Sequence, residues 1–345
     1  MKSNYEPLGK HIRLVDYRNS EEVTSTVLGI SIDKEFMPSV ANVIGTDLSR
    51  YKLISKGLFA CNPMHVGRDE RLPIALYEKD NAAIVSPAYF MFEIIDRDVL
   101  NEEYLMMWFR RPEFDRECWF MTDGSVRGGI SWDDLCRIQL PVPPYERQLD
   151  VVESYRAITR RIAMKKEIND NLEAVLAASH SKMFFSKDTS EHSKLGELMT
   201  FGNGKSRPKT DGPIPVYGGN GVLSYTDHHN IENAVLIGRV GAYCGSVYLE
   251  QGICWVSDNA IFAKSKITKD EFFDYFLLKR LNLFNHHVGT GQQLLTQEIL
   301  NNIEVPKPVT EQIELFNRKA TSIFETIFTN SREIIRLQEL SDLLL

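Results

Sequence analysis

The chain contains two similar proline-rich stretches: LPVPPYERQLDVV at residues 140–152 and VPKPVTEQIELF at residues 305–316. Each ends a short apolar run with two nearby prolines and leads into a long helical pattern. When Pro141 is placed on Pro306, the fourteen-residue segments ISWDDLCRIQLPVP and LTQEILNNIEVPKP align without a gap. Four apolar residues then match four others: Ile130, Leu135, Ile138 and Leu140 on Leu295, Leu300, Ile303 and Val305. The next matches are Glu146 with Glu311 in the same register and Gln148 with Gln312 after one residue of slippage. The second half of the chain therefore repeats the end of the first half.

The two halves also begin alike. EPLGKHIRL at residues 6–14 and SKLGELMTF at residues 193–201 share a Leu–Gly pair. Near the end of each half, Ser131 and Thr296 stand two or three residues before an acidic residue, which is typical of the start of a short capped helix. Matching starts and ends predict an internal repeat of two long units.

A long amphipathic helix is predicted after each proline-rich stretch. In the second unit the steps alternate between three and four at Ile313, Phe316, Ala320, Ile323, Ile327, Ile334, Leu337 and Leu344, with polar Asn330 and Ser341 in the same stripe. In the first unit the stripe is Val151, Tyr155, Ile158, Ile162, Leu172, Leu176 and Met183, interrupted by Lys165 and Asn169. This spacing is that of a coiled coil. Because neither helix has a partner nearby in sequence, we expect the two to pair antiparallel as a spacer on the order of 50 Å long. Packing of each helix on its own domain is the alternative.

The parts between these helices have a different pattern. Short β-branched and aromatic runs bounded by Gly, Pro or Asp predict strands, and one helical stretch follows them in each half, at residues 101–111 and 269–281. The predicted fold class is α+β: two small globular domains joined by two long helices that form an antiparallel coiled coil, with pseudo-two-fold internal repetition. The predicted boundaries are 1–145 for the first domain, 146–187 for the first helix, 188–308 for the second domain and 309–345 for the second helix.

The composition excludes some classes of protein. No run of about 18 apolar residues is present, so no membrane span is expected, and the N-terminus has neither a signal-peptide nor a transit-peptide pattern. Five widely spaced cysteines fit reduced thiols in a cytoplasmic protein. The formal net charge of −7 argues mildly against nucleic-acid binding, unless a local basic face or a basic partner supplies the positive charge.

No motif that carries chemistry is found. GNGKS at residues 202–206 lacks the glycine of a P-loop five residues before Gly–Lys, since Met199 stands there. GRVGAYCG at residues 238–245 lacks dinucleotide-binding spacing and is interpreted as tight turns between strands. The adjacent histidine pairs do not have the spacing of metal ligands. We therefore predict no catalytic residue and no metal site.

The order of these segments resembles a known family. A Leu–Gly opening, a variable domain, a proline-rich boundary and a long helix occur twice, as in the specificity subunit of type I restriction–modification systems. The resemblance covers nearly the whole chain and is most specific in ISWDDLCRIQLPVPPYERQ, in GQQLLTQEILNNIEVPKPVTEQ, and in the second opening LGELMTFGNGKSRP with IPVYGGNG. The first unit departs from that opening, so the two domains are expected to read different half-sites.

The resemblance implies a non-catalytic subunit that recognises double-stranded DNA through two target-recognition domains. Such a subunit reads a bipartite target with an unread spacer and directs two modification subunits, which methylate adenine N6, and a restriction (translocase–endonuclease) subunit. S-adenosylmethionine, ATP and Mg would be bound by those partners, and no cofactor by this chain. The alternative is a two-domain coiled-coil scaffold that binds proteins and not DNA.

Candidate DNA-binding residues lie in glycine-containing loops and have the side chains that contact bases or phosphates. In the first unit they are Asn62, His65, Arg68 and Arg71, and Arg127 just before the boundary. In the second unit they are Lys205, Arg207, Lys209, Tyr217, Asn220, Gln292 and Gln293. The basic face of the first long helix is the candidate docking surface for the modification subunits: Arg156, Arg160, Arg161, Lys165 and Lys166. Solvated loop or helix charge is the alternative for each of these residues.

Overall fold

The computed structural model describes residues 5–40, 45–122, 128–186, 191–289 and 291–345, and it describes His65 without its side chain. Two compact units are present: residues 1–163 with 335–345, and residues 164–334. The predicted α+β class is confirmed. Within the described ranges, no helix is both long enough and apolar enough to cross a membrane.

The first unit is built on small sheets covered by short helices. Its strands are β1 (Tyr5–Pro7), β2 (Ile12–Leu14), β3 (Val27–Ile30), β4 (Phe36–Pro38), β5 (Lys52–Ile54), β6 (Phe59–Cys61), β7 (Ile74–Leu76), β8 (Ala83–Val85), β9 (Phe90–Ile94) and β10 (Gln139–Pro141). Its short helices are α1 (Val66–Asp69), α2 (Glu102–Phe109), α3 (Pro112–Phe120) and α4 (Trp132–Arg137), and α5 (Tyr145–Phe184) starts here. The strand orders are β2-β9-β6-β7 and β4-β3-β8-β5.

The core of the first unit is aromatic. Phe59 and Phe92, which face each other on neighbouring strands, stack with ring centroids 5.1 Å apart. Phe109 at the end of α2 meets both rings edge-on, and Phe114 of α3 packs beside it. All four side chains are almost completely buried, so this cluster anchors α2 and α3 to the sheet.

The second unit contains a larger sheet. Its strands are β11 (His192–Lys194), β12 (Met199–Asn203), β13 (Ile214–Gly218), β14 (Gly221–Thr226), β15 (Ile231–Gly238), β16 (Val247–Val256), β17 (Ala260–Ser265) and β18 (Glu304–Pro306). Its helices are α6 (Leu195–Leu198), α7 (Phe272–Arg280), α8 (Gln297–Asn302) and most of α9 (Thr310–Leu344). The strand order is β12-β17-β15-β16-β13-β14. Its first four strands have the same sequence order and the same antiparallel pairing as β2-β9-β6-β7.

The opening and the boundary of each unit contact each other, which explains why both recur in the sequence. β1 pairs antiparallel with β10 and β11 pairs antiparallel with β18. The amide of Leu8 donates to the carbonyl of Ile138 at 2.8 Å, and the amide of Leu195 donates to the carbonyl of Ile303 at 2.9 Å. Both leucines are completely buried. The predicted caps are also confirmed, because Ser131 and Thr296 accept from the amides three residues further on, at 3.1 and 3.2 Å.

The glycine of each Leu–Gly pair allows a capped helix to approach closely. A Cβ built on Gly9 would lie 2.7 Å from the Cβ of Cys136 in α4. A Cβ built on Gly196 would lie 2.6 Å from the side-chain oxygen of Asn301 in α8. Cys136 and Asn301 occupy the same place in the alignment of the two boundaries. The repeated glycine therefore has a packing role in both units.

Within the second unit, α5 and α9 contact each other and run in opposite directions. The Lys165 ammonium donates to the Asn330 side-chain oxygen at 2.9 Å and pairs with Glu333 at 2.8 Å. The Asn330 amide donates in turn to the Asn169 oxygen at 2.8 Å. The residues that interrupt the apolar stripe of α5 therefore meet the polar residue in the stripe of α9.

The predicted stripes agree with burial in part. On α5, Leu176 of the stripe is buried, the other apolar stripe positions are half-buried, and Val152 and His180 are buried outside the stripe. Ile313, Phe316, Ala320, Asn330 and Ser341 are buried along α9. Phe324 is buried too, although the three-and-four spacing predicts its neighbour Ile323. Its ring stacks on Phe272 of α7 at 4.7 Å, so packing against α7 widens the buried face of α9 beyond the stripe.

The match between Gln148 and Gln312 does not extend to a shared structural role. Gln148 is completely buried; it accepts from the Asn101 amide and donates to the carbonyls of Val99 and Pro143. Gln312 is exposed. In the second unit the comparable bonds are made by Asn317, five residues after Gln312. Asn317 binds the first turn of α7 and the chain ahead of it, whereas Gln148 binds the chain ahead of α2.

All five cysteines are free thiols, and four of them are buried. Burial raises the pKa of Cys61, and it raises the pKa of Cys254 to about 12. Thiols held in this state are poor nucleophiles, which agrees with a structural role in the core.

Candidate nucleic-acid interface

Several loops of the second unit are joined by backbone hydrogen bonds into one cluster at an end of its sheet. The second-unit loop cluster comprises residues 204–205, 218–220, 239–244, 257–259 and 291–295. Arg239 is central to it: its amide donates to the Asn259 carbonyl at 3.0 Å, and its carbonyl accepts from the Leu295 amide at 2.9 Å. The Gly241 amide donates to the Gln293 carbonyl at 3.1 Å. These bonds hold the loop after β15 against the loop that precedes α8.

The rest of the cluster is held in the same way. The Ser257 amide donates to the Tyr217 carbonyl at 2.8 Å, and the Lys205 amide donates to the Val256 carbonyl at 3.0 Å. The turn between β16 and β17 is thereby placed beside the end of β13 and the start of the basic loop. The GNGK segment belongs to this arrangement, and no helix follows it in described residues 205–213. The rejection of a phosphate-binding P-loop agrees with that geometry.

The first unit contains a matching arrangement. The first-unit loop cluster comprises residues 62–71, after β6, and residues 128–130, before α4. The Ile130 amide donates to the Pro63 carbonyl at 3.2 Å, and the Gly67 amide donates to the Gly128 carbonyl at 2.9 Å. In the alignment of the two boundaries, Ile130 falls on Leu295 and Gly128 falls on Gln293. Both clusters therefore use the same two backbone bonds at the end of corresponding strands.

The predicted DNA-binding residues of the second unit lie in or next to this loop cluster, and they differ in exposure and in side-chain contacts. Lys205, Arg207, Lys209, Asn220 and Gln292 are exposed, and Gln293 is partly buried. Among the described residues, none is found paired with the three basic side chains.

Tyr217 is more constrained than these residues. Its hydroxyl donates to the Glu250 carboxylate at 3.0 Å. Desolvation, together with this carboxylate, raises its pKa well above the usual range. The Tyr217 hydroxyl is therefore engaged by Glu250 of the neighbouring strand β16.

The predicted residues of the first unit are largely engaged with neighbours. The Asn62 side chain caps the turn that follows it, accepting from the Met64 amide at 3.2 Å. Arg68 makes a two-pronged pair with Asp69, at 2.7 and 2.9 Å, and Arg71 lies 3.4 Å from Asp33. The His65 side chain and the whole of Arg127 lie outside the described residues. The loop that carries Asn62, His65, Arg68 and Arg71 contacts Gly128, the first described residue after Arg127, through the Gly67 amide.

Sequence reasoning missed Arg239 and Tyr243. The segment GRVGAYCG was interpreted as tight turns, and a turn is indeed present at Gly241–Tyr243. Its place in the loop cluster was not recognised. The internal repeat is the signal that could have identified this loop. The loop after β15 is equivalent to the loop after β6, and candidate DNA-binding residues had been assigned to the loop after β6.

The predicted docking residues of α5 do not all face solvent. Arg156, Arg160, Arg161 and Lys166 are exposed, and Arg156 contacts Glu103 of α2. Lys165 has a side chain only 17% exposed and is bound by Asn330 and Glu333. Because its charge is used between the two helices, we correct its assignment: Lys165 belongs to the α5–α9 contact and not to an outward docking surface.

Comparison with known proteins gives a consistent result. Residues 187–343 match the family model described as the type I restriction modification DNA specificity domain. A putative type I restriction enzyme specificity subunit from Methanocaldococcus jannaschii is 20% identical over 96% of this chain and 84% of its own length. The structure of the type I S subunit from M. genitalium aligns over 99% of this chain and 95% of its own, with 14% identity and a TM-score of 0.62. A chain from a structural study of type I R-M complex assembly aligns over 99% of this chain and 95% of its own, with 17% identity and a TM-score of 0.50.

These matches assign a family to residues 187–343, somewhat less than half of the chain, and a fold to the whole chain. Residues 187–343 belong to the DNA specificity domain family, and the fold of the whole chain is that of solved S subunits. The scaffold alternative, which binds proteins and not DNA, is not favoured by any of the similar proteins.

Proposed function

We propose that this chain is the non-catalytic DNA-recognition subunit of a type I system, and that it reads a bipartite target with an unread spacer. One observation carries the proposal. Each unit places a loop after the third strand of a matching sheet against the loop before the boundary helix, with the same pair of backbone hydrogen bonds. Two equivalent loop clusters with unlike side chains suit two unlike half-sites.

The two kinds of DNA contact would be divided among the exposed residues. Lys205, Arg207 and Lys209 form a local basic segment that is suited to phosphates, which set affinity and register. Side chains with amide or guanidinium groups are suited to base edges in the major groove. In this proposal these readers are Asn220, Gln292 and Gln293 in the second unit, and Asn62, His65, Arg68, Arg71 and Arg127 in the first. Arg68 would have to exchange Asp69 for DNA, which makes it the least available of them.

We further propose that α5 and α9 form an antiparallel coiled coil that sets the distance between the half-sites. The apolar stripes and the Lys165–Asn330–Asn169 contacts support this pairing. A buried polar layer fixes the register of two helices, since slippage would leave its polar groups without partners.

The partners follow from the same proposal. Two modification subunits would methylate adenine N6 with S-adenosylmethionine, and a restriction subunit would use ATP and Mg. Arg156, Arg160, Arg161 and Lys166 on α5 are the proposed docking residues for the modification subunits. Positive charge from these partners would offset the formal charge of −7 on this chain.

Co-expression with the cognate modification subunit, followed by methylome sequencing, tests the proposal. The expected result is one methylated bipartite motif. Replacing residues 190–305 with another recognition domain should change one half-site only. Inserting the same few residues into both long helices should widen the spacer and leave both half-sites unchanged. Absence of any methylated motif would contradict DNA recognition, and an unchanged spacer would contradict the coiled-coil ruler.

A further inference from the structure

We propose that Arg239 reads a guanine in the half-site recognised by the second unit. The assignment rests on the proposed function and deepens it, because it names a specificity-determining residue outside the sequence-based candidates. It depends on three properties of Arg239: a rigid backbone, a side chain that pairs with no acidic group in the described part of the chain, and small or exposed neighbours.

The backbone of Arg239 is held on both sides. Its amide binds the Asn259 carbonyl, and its carbonyl accepts from the Leu295 amide at 2.9 Å and from the Cys244 thiol at 3.3 Å. The residue directly follows β15, a strand whose last five residues are buried. A side chain that starts from such a support is positioned more accurately than one on a free loop.

The guanidinium of Arg239 is only weakly engaged. One terminal nitrogen lies 3.5 Å from the Asp258 carbonyl, which is at the limit of a hydrogen bond. Its Nε is buried and has no hydrogen-bond partner among the residues that the structure describes. A buried donor without a partner is unfavourable, so the side chain has little to lose when it rearranges onto an acceptor. Arg68 differs, since its Nε and one terminal nitrogen both donate to the Asp69 carboxylate.

The surroundings of Arg239 leave room for DNA. Asn220 and Tyr243 of the same loop cluster are exposed, Tyr243 by half of its surface. A Cβ built on Gly219 would lie 3.7 Å from the Tyr243 Cβ and 3.8 Å from the Val240 carbonyl oxygen, so the glycine turn lies beside the loop that follows Arg239. A Cβ on Gly241 would meet no described atom within 4 Å, so the backbone surface there is open. Arginine donates in bidentate fashion to O6 and N7 of guanine, which is the commonest specific contact in the major groove. These properties point to guanine as the base that Arg239 reads.

The first unit has Pro63 at the place that corresponds to Arg239. The carbonyl of each accepts from the amide two positions before the first residue of the boundary helix, α4 or α8. Proline carries no side-chain donor. The equivalent position can therefore read a base in one unit only, which agrees with two different half-sites.

The test uses the full chain with its modification subunit and compares Arg239→Gln, Arg239→Lys and the control Arg318→Gln, which changes an exposed arginine on α9. Arg239→Gln should lower methylation at native sites by about 5- to 150-fold and shift preference from guanine towards adenine at one position. Arg239→Lys keeps the charge without the planar fork, so it should lose the guanine preference as well. The control should match the wild type.

The outcomes separate the two levels of the proposal. Wild-type behaviour of Arg239→Lys would assign the residue to a phosphate and overturn the inference. An unchanged motif with Arg239→Gln, or changes in both half-sites, would also overturn it. Failure of the wild-type chain to direct any methylation would contradict the proposed function itself. Melting temperatures of the variants show whether the fold is kept, and competition binding of Arg239→Lys to DNA with each base at the affected position gives the answer without turnover.

Discussion

The buried amide of Asn317 offers a sharp test of how α9 is anchored to the second unit. Its oxygen accepts from the Phe273 amide at 2.9 Å, and its nitrogen donates to the Thr268 hydroxyl at 2.9 Å and to the Asp270 carbonyl at 3.0 Å. Asn317→Ala removes all three bonds. Asp270 is exposed and its carbonyl can be hydrated, whereas Phe273 is 2% exposed, so its amide stays without a partner.

The magnitude follows from these burials. A buried donor without a partner costs about 1–3 kcal/mol, and the other two bonds together contribute about 1 kcal/mol when water can replace them in part. We therefore expect Asn317→Ala to lower the free energy of local unfolding around α7 by about 2–4 kcal/mol. Hydrogen exchange of peptides covering residues 268–280 should accelerate by roughly 30- to 700-fold.

Two control variants distinguish the structural role from the sequence match. Gln312→Ala changes the residue that the alignment pairs with Gln148, but Gln312 is exposed, so its effect should stay within about 0.5 kcal/mol. Gln148→Ala should increase exchange around residues 99–104 and leave peptides 268–280 unaffected. Equal effects of Asn317→Ala and Gln312→Ala, or a change below 0.5 kcal/mol for both, would refute the assigned role of Asn317.

Two further predictions concern buried positions. Burial, with a smaller contribution from Glu271, raises the pKa of Asp274 to about 7. Because the folded state holds this proton more tightly than the unfolded state, stability should fall as pH rises from about 4 to 7, by about 2 kcal/mol between pH 5.5 and 8. Asp274→Asn should remove that dependence in urea unfolding, and an unaltered pH profile would contradict the shift. Gly9→Ala should cost about 1–3 kcal/mol, since the new Cβ meets the Cβ of Cys136. Gly196→Ala should cost less, because the Asn301 amide can rotate away; thermal melts that show the reverse order would contradict this packing argument.

Much of the fold was predictable because its signals are local. The caps at Ser131 and Thr296 depend on residues within one turn, and the long helices depend on three-and-four spacing. The repeated Leu–Gly pair indicated that the two units open in the same way. Its packing against α4 and α8 became visible only in the structure. Phe324 escaped prediction because α7, about fifty residues away in the chain, decides that it is buried.

The candidate site was predicted less completely. Its loops were identified in part, since both boundary loops and the loop after β6 were assigned. Arg239 was not identified, because nothing within its own segment distinguishes a structural turn from a turn that is held against a second loop. The charge of Lys165 was assigned outward for a similar reason: its partners, Asn330 and Glu333, lie on the other long helix.

The sequence by itself determined the frame of this protein: two units with matching openings and boundaries, each followed by a long helix. Periodicity, capping and proline placement depend on residues that are close in sequence, so they can be predicted without a structure. Tertiary structure alone decided which loops meet and which buried amides anchor the helices. Those contacts join residues that are far apart in the chain. Whether such a hydrogen bond forms depends on the path of the whole backbone, so the local sequence does not predict it.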